Sequence, residues 1–291
     1  MSFFIIKHNP ANIPAMKKFF TLIAMTTLLT GCASTLNIDR TYSGKLQDSR
    51  ARFLVIHYTV SNLQRSIELL TGDQVSVHYL VTDEAQPRIY GMVDENKRAW
   101  HAGKSEWKDY KSLGASSIGI EIVNPGYTDT AQGRVYAPFP QKQMDVLLPL
   151  IKDIVARNQI APENILGHSD IAPQRKQDPG PMFPWKQLAD AGLIIWPDAE
   201  QVKLKQAGFE GHLPDIAWFQ KKLHVHGFAV PQTGELDAAT QNVISVFQMK
   251  YRPANIDGKP DAETAAILEV LTTAPSTIGT PFLEQTAQAQ K

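Results

Sequence analysis

The sequence lacks three things: a second cysteine, an excess of one charge, and a long apolar run. Cys32 is the only cysteine among 291 residues, which excludes an internal disulfide and a cysteine-rich structural zinc site. Lys plus Arg and Asp plus Glu both number 29, and there is no run of basic residues, so we predict no nucleic-acid partner. With 43% hydrophobic residues, the composition is that of a globular protein stabilised by its core.

A short apolar run at residues 19–29 follows Lys17 and Lys18. It is shorter than the ~20 residues that span a bilayer, and basic residues before a short apolar run are typical of a secretory signal. Residues 29–32 read Leu-Thr-Gly-Cys and resemble the bacterial lipobox, which predicts lipidation of Cys32; a lone buried thiol is the alternative. Because Ala33 follows instead of Asp, this resemblance implies a lipid anchor in the outer membrane, facing the periplasm of a Gram-negative bacterium. Translation from Met1 and from Met16 are both open.

The remaining chain divides by composition and periodicity. After the signal at residues 1–32, we predict a polar tether at 33–51, a domain at 52–197, a small helical domain at 213–271 and a disordered tail at 272–291. The larger domain has short β-branched or alternating segments at 53–59, 75–82, 88–93 and 117–123, and amphipathic helical segments beginning at Ser61 and at Gln141. Strands interspersed with helices predict an α/β fold with a mixed central sheet flanked by helices.

Three helices are predicted in the C-terminal domain. Ile216, Phe219 and Leu223 form one helical stripe, and Asp237 and Asp261 are suited to cap a second and a third helix. We expect them to form a small separate module.

The candidate chemistry centres on residues 167–181, which contain several Pro and Gly residues and are expected to form a loop and not a helix. This segment contains His168 and Asp178, and His57 ends the buried strand at 53–59. We predict that these three residues bind one zinc ion, because three ligands plus a water characterise catalytic zinc. Each histidine taken alone is more often a solvated or capped side chain, and spacing alone does not decide between the two.

Amide hydrolysis also needs proton transfer and stabilisation of an oxyanion. Glu121 lies on the polar face of an otherwise apolar strand and is the candidate proton acceptor and donor; a surface glutamate on an edge strand is the alternative. Lys176 could place its ammonium group against the oxyanion, although a solvated loop lysine is the default.

Several motifs resemble the zinc-dependent N-acetylmuramoyl-L-alanine amidases of the peptidoglycan-recognition superfamily. They are residues 55–59, the Trp-His-Ala-Gly segment at 100–103, residues 118–121, and the segment from Gly167 through Pro181. The resemblance implies that His57, His168 and Asp178 bind zinc and that Glu121 and Lys176 are catalytic. The sequence at 213–271 resembles a three-helix peptidoglycan-binding domain, through weaker motifs.

We therefore expect a monomeric, lipid-anchored enzyme that binds peptidoglycan and muropeptides and cleaves the amide between N-acetylmuramic acid and L-alanine. Substrate contacts are predicted at His101, Tyr58 and His78, with a hydrogen-bonded core histidine as the alternative for His78. Two other functions stay open: a zinc endopeptidase of the peptide crosslinks, and a non-catalytic recognition lipoprotein.

Overall fold

The computed structural model describes residues 38–273. The predicted signal, the lipobox with Cys32 and the tail from residue 274 onward lie outside the described residues. Residues 38–47 belong to a unit of their own and, within that described stretch, form no helix or strand, whereas the chain from Asp48 onward forms one compact unit. The tether therefore ends earlier than predicted. The guanidinium of Arg50 donates hydrogen bonds to the carbonyls of Glu95 at 2.6 Å and Ala115 at 2.9 Å, which holds this segment on the folded unit.

The described residues contain nine β-strands in three sheets. They are β1 Phe53–Tyr58, β2 Tyr79–Val81, β3 Ile89–Gly91, β4 Glu106–Trp107, β5 Tyr110–Lys111, β6 Ser117–Ile122, β7 Tyr127–Thr130, β8 Gly133–Tyr136 and β9 Ile165–Gly167. The central sheet has the order β3-β2-β6-β1-β9, with only β3 antiparallel to its neighbour, and β4–β5 and β7–β8 are separate hairpins. The predicted α/β fold with a mixed sheet is confirmed.

Eight α-helices accompany these strands in the described part of the chain. They are α1 Leu63–Leu70, α2 Gln141–Asn158, α3 His168–Ile171, α4 Trp185–Asp190, α5 Ala199–Glu210, α6 Ile216–His226, α7 Ala238–Tyr251 and α8 Ala262–Thr273. Within residues 38–273 none of them is both long enough and apolar enough to span a bilayer.

The two faces of the central sheet have different roles. Ile118, Ile120 and Ile122 of β6 are fully buried in a core that includes the apolar face of α2. Successive side chains of a strand point to opposite faces, so Gly119 and Glu121 lie on the other side. That face carries the polar residues described below.

Two predicted elements differ from the structure. The strand expected at residues 75–82 is reduced to Tyr79–Val81, because Ser76 pairs with Trp100 instead, through backbone and side-chain hydrogen bonds of 3.2 and 2.9 Å. The segment at 167–181 is not helix-free, since His168–Ile171 forms a single helical turn. The carboxylate of Asp170 stabilises this turn by accepting a hydrogen bond from the backbone of Gly167 at 2.9 Å.

The three predicted C-terminal helices are present as α6, α7 and α8. Asp215, Asp237 and Asp261 each accept a hydrogen bond from a backbone N–H three residues further on, as N-caps do. An unpredicted helix, α5, packs against α8. Its sequence has only weak apolar periodicity and none of its residues is buried, so the pattern gave little sign of it.

The C-terminal helices are not a separate module. Phe53 and Trp107 of the larger domain belong to the same buried cluster as Phe219, Phe228 and Phe247 of the helical domain. Trp107 packs edge-on against Phe228, with ring centroids 5.1 Å apart, and the backbone N–H of Lys108 donates to the carbonyl of Gly227 at 2.8 Å. The expected separation is wrong because the two domains bury apolar surface against each other.

Candidate metal centre

Parallel strands bring the three predicted ligands together at the carboxyl end of the central sheet. His57 is the penultimate residue of β1, which pairs on one side with β6 and on the other with β9. His168 follows β9 directly, and Asp178 is held near it because the backbone N–H of Ser169 donates to the carbonyl of Asp178 at 2.8 Å. The carboxyl ends of parallel strands are a common location for ligand sites.

The ligand atoms form a compact triangle. Nδ1 of His57, Nδ1 of His168 and Oδ2 of Asp178 are each 3.0 Å from the other two. The three residues are buried, at 2%, 3% and 8% exposure, and their ligand atoms satisfy the distances expected of a metal-binding group. The fold thus brings the three predicted residues together, although His57 is more than a hundred positions from the other two.

The far side of each ring offers hydrogen-bond partners that suit one histidine tautomer. Nε2 of His57 lies 3.0 Å from Nδ1 of His101, whose Nε2 lies 3.1 Å from the hydroxyl of Ser117. If each Nε2 carries the proton, His57 donates to His101 and His101 donates to Ser117. This arrangement leaves Nδ1 of His57 without a hydrogen, as a metal ligand requires.

His168 has an equivalent arrangement. Its Nε2 is 3.2 Å from the carbonyl of Ala102, to which it donates when Nε2 is protonated. Nη2 of Arg175 also approaches this nitrogen, at 3.3 Å, but donates to the carbonyls of Ala102 and Lys104 at 2.6 Å. In these tautomers both histidines direct an unprotonated Nδ1 toward Oδ2 of Asp178, each at 3.0 Å.

The electrostatics of the triangle match a cation site. Burial and the neighbouring His168 lower the pKa of His57 to about 4, so its ring is neutral at neutral pH. Burial alone would raise the pKa of Asp178, but when the facing histidine nitrogens carry protons their charge and hydrogen bonds outweigh it and hold that pKa well below its usual range. In the tautomer with both Nδ1 atoms unprotonated, a bound cation would take the place of those protons. Three acceptor atoms 3.0 Å apart repel one another unless a cation lies among them. Two imidazole nitrogens and one carboxylate oxygen are a donor set suited to zinc.

Glu121 lies beside His57 on the neighbouring strand, in direct register with it. Its Oε2 atom is buried and has no hydrogen-bond partner among residues 38–273. Burial, followed by the negative charge of Asp178, raises its pKa well above the usual value, while the charge of Lys176 opposes the shift. A carboxyl group with a raised pKa and an unused oxygen is suited to exchange protons, and the alternative of a surface glutamate on an edge strand is wrong, because β6 is an inner strand of the sheet.

Lys176 lies within electrostatic reach of the site, since its charge also lowers the pKa of His57. It is half-buried. A feature that the sequence did not reveal lies next to it: Arg134 of β8 donates to the side-chain oxygen of Gln177 at 2.8 Å. The β7–β8 hairpin thereby fixes the position of Gln177, which lies between Lys176 and Asp178 in the sequence. A contact across 43 positions leaves no local signal in the pattern.

Two of the three predicted substrate contacts are better explained as internal contacts. His78 is fully buried; its Nδ1 accepts the backbone N–H of Gly119 at 2.9 Å and its Nε2 faces the carbonyl of Lys97 at 3.1 Å. It is a hydrogen-bonded core histidine and the substrate-contact prediction is wrong. His101 has both ring nitrogens engaged with His57 and Ser117, which favours positioning of His57 over contact with substrate. Tyr58 is 7% exposed, and its burial, followed by the charge of Asp178, raises the pKa of its hydroxyl.

Comparison with known proteins places the chain among amidases. The family model described as N-acetylmuramoyl-L-alanine amidase matches residues 47–181, and a model of a peptidoglycan binding domain matches residues 212–268. The chain is 43% identical over 270 residues to N-acetylmuramoyl-L-alanine amidase AmiD of Escherichia coli (strain K12), covering 88% of this chain and 98% of that protein.

Solved structures of such proteins share the fold. A complex of AmiD from E. coli with the substrate anhydro-N-acetylmuramic acid-L-Ala-D-gamma-Glu-L-Lys has a TM-score of 0.75 and 42% identity, and covers 82% of this chain and 95% of that one. AmpDh3 from Pseudomonas aeruginosa, in complex with anhydromuramic pentapeptide, has a TM-score of 0.75 and 37% identity, and covers 83% and 98%. The resemblance predicted from the sequence motifs is confirmed, as is the prediction of an enzyme. The chain belongs to the N-acetylmuramoyl-L-alanine amidase family.

Proposed function

We propose that this protein is a zinc-dependent hydrolase that cleaves the amide between the lactyl group of N-acetylmuramic acid and the L-alanine of the peptidoglycan stem peptide. The observation that carries the proposal is the position of Glu121: its Oε2 atom is buried without a hydrogen-bond partner among the described residues, and it is in register with His57, one of the three ligand residues. The ligand printed for the AmiD complex contains this type of bond, between its anhydro-N-acetylmuramic acid and its L-Ala.

His57, His168 and Asp178 would hold the zinc ion. When bound, zinc polarises a carbonyl group and lowers the pKa of a water molecule to about 7. The protein prepares this site in advance: two rings are fixed by hydrogen bonds to His101 and Ala102, and Asp178 is ionised.

Glu121 is proposed to move the proton. Its carboxylate accepts a proton from the attacking water as the new carbon–oxygen bond forms. It then donates this proton to the amide nitrogen as the carbon–nitrogen bond breaks, leaving a lactyl carboxylate and a free L-Ala amine. A raised pKa suits both halves of this role, because the group must first accept the proton and then release it.

Lys176 is proposed to stabilise the oxyanion that develops on the carbonyl oxygen during the attack. Its charge already acts on Glu121 and His57, so it lies within range of the reacting atoms. Tyr58 is proposed to contact the substrate beside Asp178, with its hydroxyl protonated at neutral pH.

Peptidoglycan and muropeptides are the proposed partners, with the C-terminal helices contributing to wall binding, as the match to a peptidoglycan binding domain supports.

We also propose that Cys32 carries a lipid anchor in the outer membrane and that the protein acts as a monomer. Fractionation of cells expressing the full chain and Cys32→Ser tests the anchor, since only the parent should remain with the outer membrane. Gel filtration with light scattering tests the monomer.

Digestion of purified muropeptides, followed by mass spectrometry, tests the reaction. We expect stem peptides with a free L-Ala amine, no cuts between sugars or inside the stem, and no product after chelation of the metal. Restored activity on adding zinc completes the test. Glu121→Gln should be inactive, whereas the matched variant Glu106→Gln, on the β4–β5 hairpin, should match the parent. Cuts at peptide crosslinks would support an endopeptidase, and binding without products would support a recognition protein.

A further inference from the structure

A lysine from the C-terminal helices contacts the segment at residues 167–181, which we call the metal-binding loop. Nζ of Lys250, on α7, lies 2.8 Å from Oδ2 of Asp170, which belongs to the helical turn α3 that begins at His168. Both side chains are buried, at 6% and 2% exposure. The pair therefore links the helical domain to the segment that supplies one of the metal ligands.

The same carboxylate oxygen also organises the backbone next to His168. Oδ2 of Asp170 accepts the N–H of Gly167 at 2.9 Å, so one atom receives both the ammonium group and the amide. The position of this oxygen fixes the turn from β9 into α3, and hence the point from which the His168 side chain departs.

The larger domain surrounds the ammonium group on several sides. The carbonyl of Ile165 in β9 lies 3.4 Å from Nζ, and the ring of Trp185 in α4 lies 4.3 Å away with Nζ over its face. These contacts and Asp170 come from three elements around the metal-binding loop. A single cation placed among all three holds them in one arrangement.

The buried ion pair of Lys250 and Asp170 is not expected to add much to the stability of the folded protein. Desolvation of two charges offsets much of their attraction, and buried ion pairs can often be replaced by apolar residues at no cost in stability. What an apolar pair would not provide is a fixed acceptor for the N–H of Gly167. The energetics thus favour a role in fixing the geometry of this turn.

We propose that Lys250 is a positioning residue of the metal centre: through Asp170 it sets the orientation of His168, so that the helical domain completes the site of the larger domain. The inference rests on the proposed metal binding by His57, His168 and Asp178. It assigns to the C-terminal helices a task inside the active site that is distinct from binding to the wall.

The test uses the full chain and the variant Lys250→Met, which retains the length of the side chain without its charge. Zinc affinity is measured by competition with a chromophoric chelator, below the onset of unfolding. We expect a dissociation constant weaker by roughly 10- to 100-fold, the range found when partners of metal ligands are removed. The control is Lys222→Met, which removes a 2.7 Å ion pair with Glu269 inside the helical domain and should leave the affinity unchanged.

Hydrogen exchange of the metal-free proteins gives a second measurement. In Lys250→Met the Gly167 amide should exchange at least about 10-fold faster than in the parent, and in Lys222→Met at the parent rate. If Lys250→Met does not fold, Asp170→Asn replaces it, because asparagine can still accept the Gly167 N–H but removes the ion pair. A folded variant with the parent's zinc affinity and Gly167 exchange rate overturns the proposal. Failure of the parent to bind zinc would instead overturn the proposed function, and the exchange comparison would still report on Lys250.

Discussion

The imidazole ring of His101 lies directly over Gly119 of β6. A Cβ atom added at Gly119 would be 2.6 Å from Cγ of the ring, closer than any side chain can approach. From this position Nδ1 of His101 reaches Nε2 of His57 at 3.0 Å. The missing side chain at position 119 is thus a requirement for the hydrogen bond that orients a metal ligand.

Replacement of Gly119 by alanine should displace His101 and weaken zinc binding by roughly 10- to 100-fold, because the orienting partner of His57 is lost. Competition with a chelator measures this. Gly91→Ala is the matched control, since a Cβ at that strand position meets no atom of the described residues within 4 Å. Equal affinities in Gly119→Ala and the parent would show that the position of His101 does not matter to the metal.

The variant His101→Phe keeps an aromatic ring over Gly119 but removes the acceptor for His57. We expect a loss of zinc affinity similar to that in Gly119→Ala, with little change in the urea midpoint, because the ring volume is nearly preserved. Ser117→Ala removes only the outer partner of His101 and should have a smaller effect. The order of the three affinities tests the chain of hydrogen bonds from Ser117 to His57.

Glu121→Gln should lower kcat by roughly 10²- to 10⁴-fold and stabilise the metal-free protein at neutral pH. The folded pKa of Glu121 is raised, so the folded state binds the proton more tightly than the unfolded chain. The parent therefore loses stability as pH rises from about 4.5 through the folded pKa, and the variant does not.

Urea unfolding of both metal-free proteins at several pH values measures this difference. The free energy of unfolding of Glu121→Gln should exceed that of the parent at neutral pH, and this difference should vanish in acid. Glu106→Gln serves as the control. A difference that grows toward low pH would contradict the assignment.

Lys176→Met should lower kcat by roughly 10²- to 10³-fold, as does removal of a group that stabilises an oxyanion, and leave zinc affinity within about twofold of the parent. Steady-state kinetics on a soluble muropeptide and the chelator competition separate the two effects. Lys186→Met removes an exposed lysine that pairs with Asp190 and should behave as the parent. Loss of metal together with activity would assign Lys176 to the structure of the loop.

Gly227→Ala should destabilise the whole folded unit. Gly227 has a φ of 136°, and an added Cβ would lie 2.6 Å from the ring of Trp107. Gly234→Ala shares the strain of positive φ, at 78°, but its Cβ meets only Ala217 at 4.0 Å. The difference between the two variants in urea unfolding combines the clash with the stronger backbone strain at a φ of 136°, and we expect Gly227→Ala to lose about 1–3 kcal/mol more. Nearly equal losses of unfolding free energy in the two variants would show that Trp107 can move to accommodate the added methyl group.

Local pattern sufficed for much of the fold. The run at 53–59 predicted β1 because it is short, apolar and β-branched. The stripe of Ile216, Phe219 and Leu223 predicted α6, and two aspartates predicted the starts of α7 and α8. The strand expected at 75–82 failed because alternation does not reveal that Ser76 pairs with Trp100. The shared core escaped prediction because Phe53 and Phe219 look like core residues of any domain, and nothing local states which surfaces meet.

The proposed metal ligands were predictable as residue types, and the resemblance to known amidases selected them. The residues that orient them were not. His101 has the sequence environment of a rim residue, and only its position over Gly119 shows that it faces His57. Lys250 reads as an ordinary lysine near the end of a helix, and its burial depends on a contact 80 positions away.

The distances along the chain within the ligand triangle bear on how the protein folds. His57 is separated from His168 by 111 positions and from Asp178 by 121, and parallel pairing of β1 with β9 joins them. Closing such loops costs entropy before any contact compensates for it, so these strands pair slowly compared with the helices. In the nascent chain His168 and Asp178 are ten positions apart, whereas His57 is far from both, so an ion would meet at most two of the three donors. The complete set of three ligand atoms therefore exists only after β1 has paired with β9, so a metal ion that needs all three would be captured by the folded sheet and not by the unfolded chain.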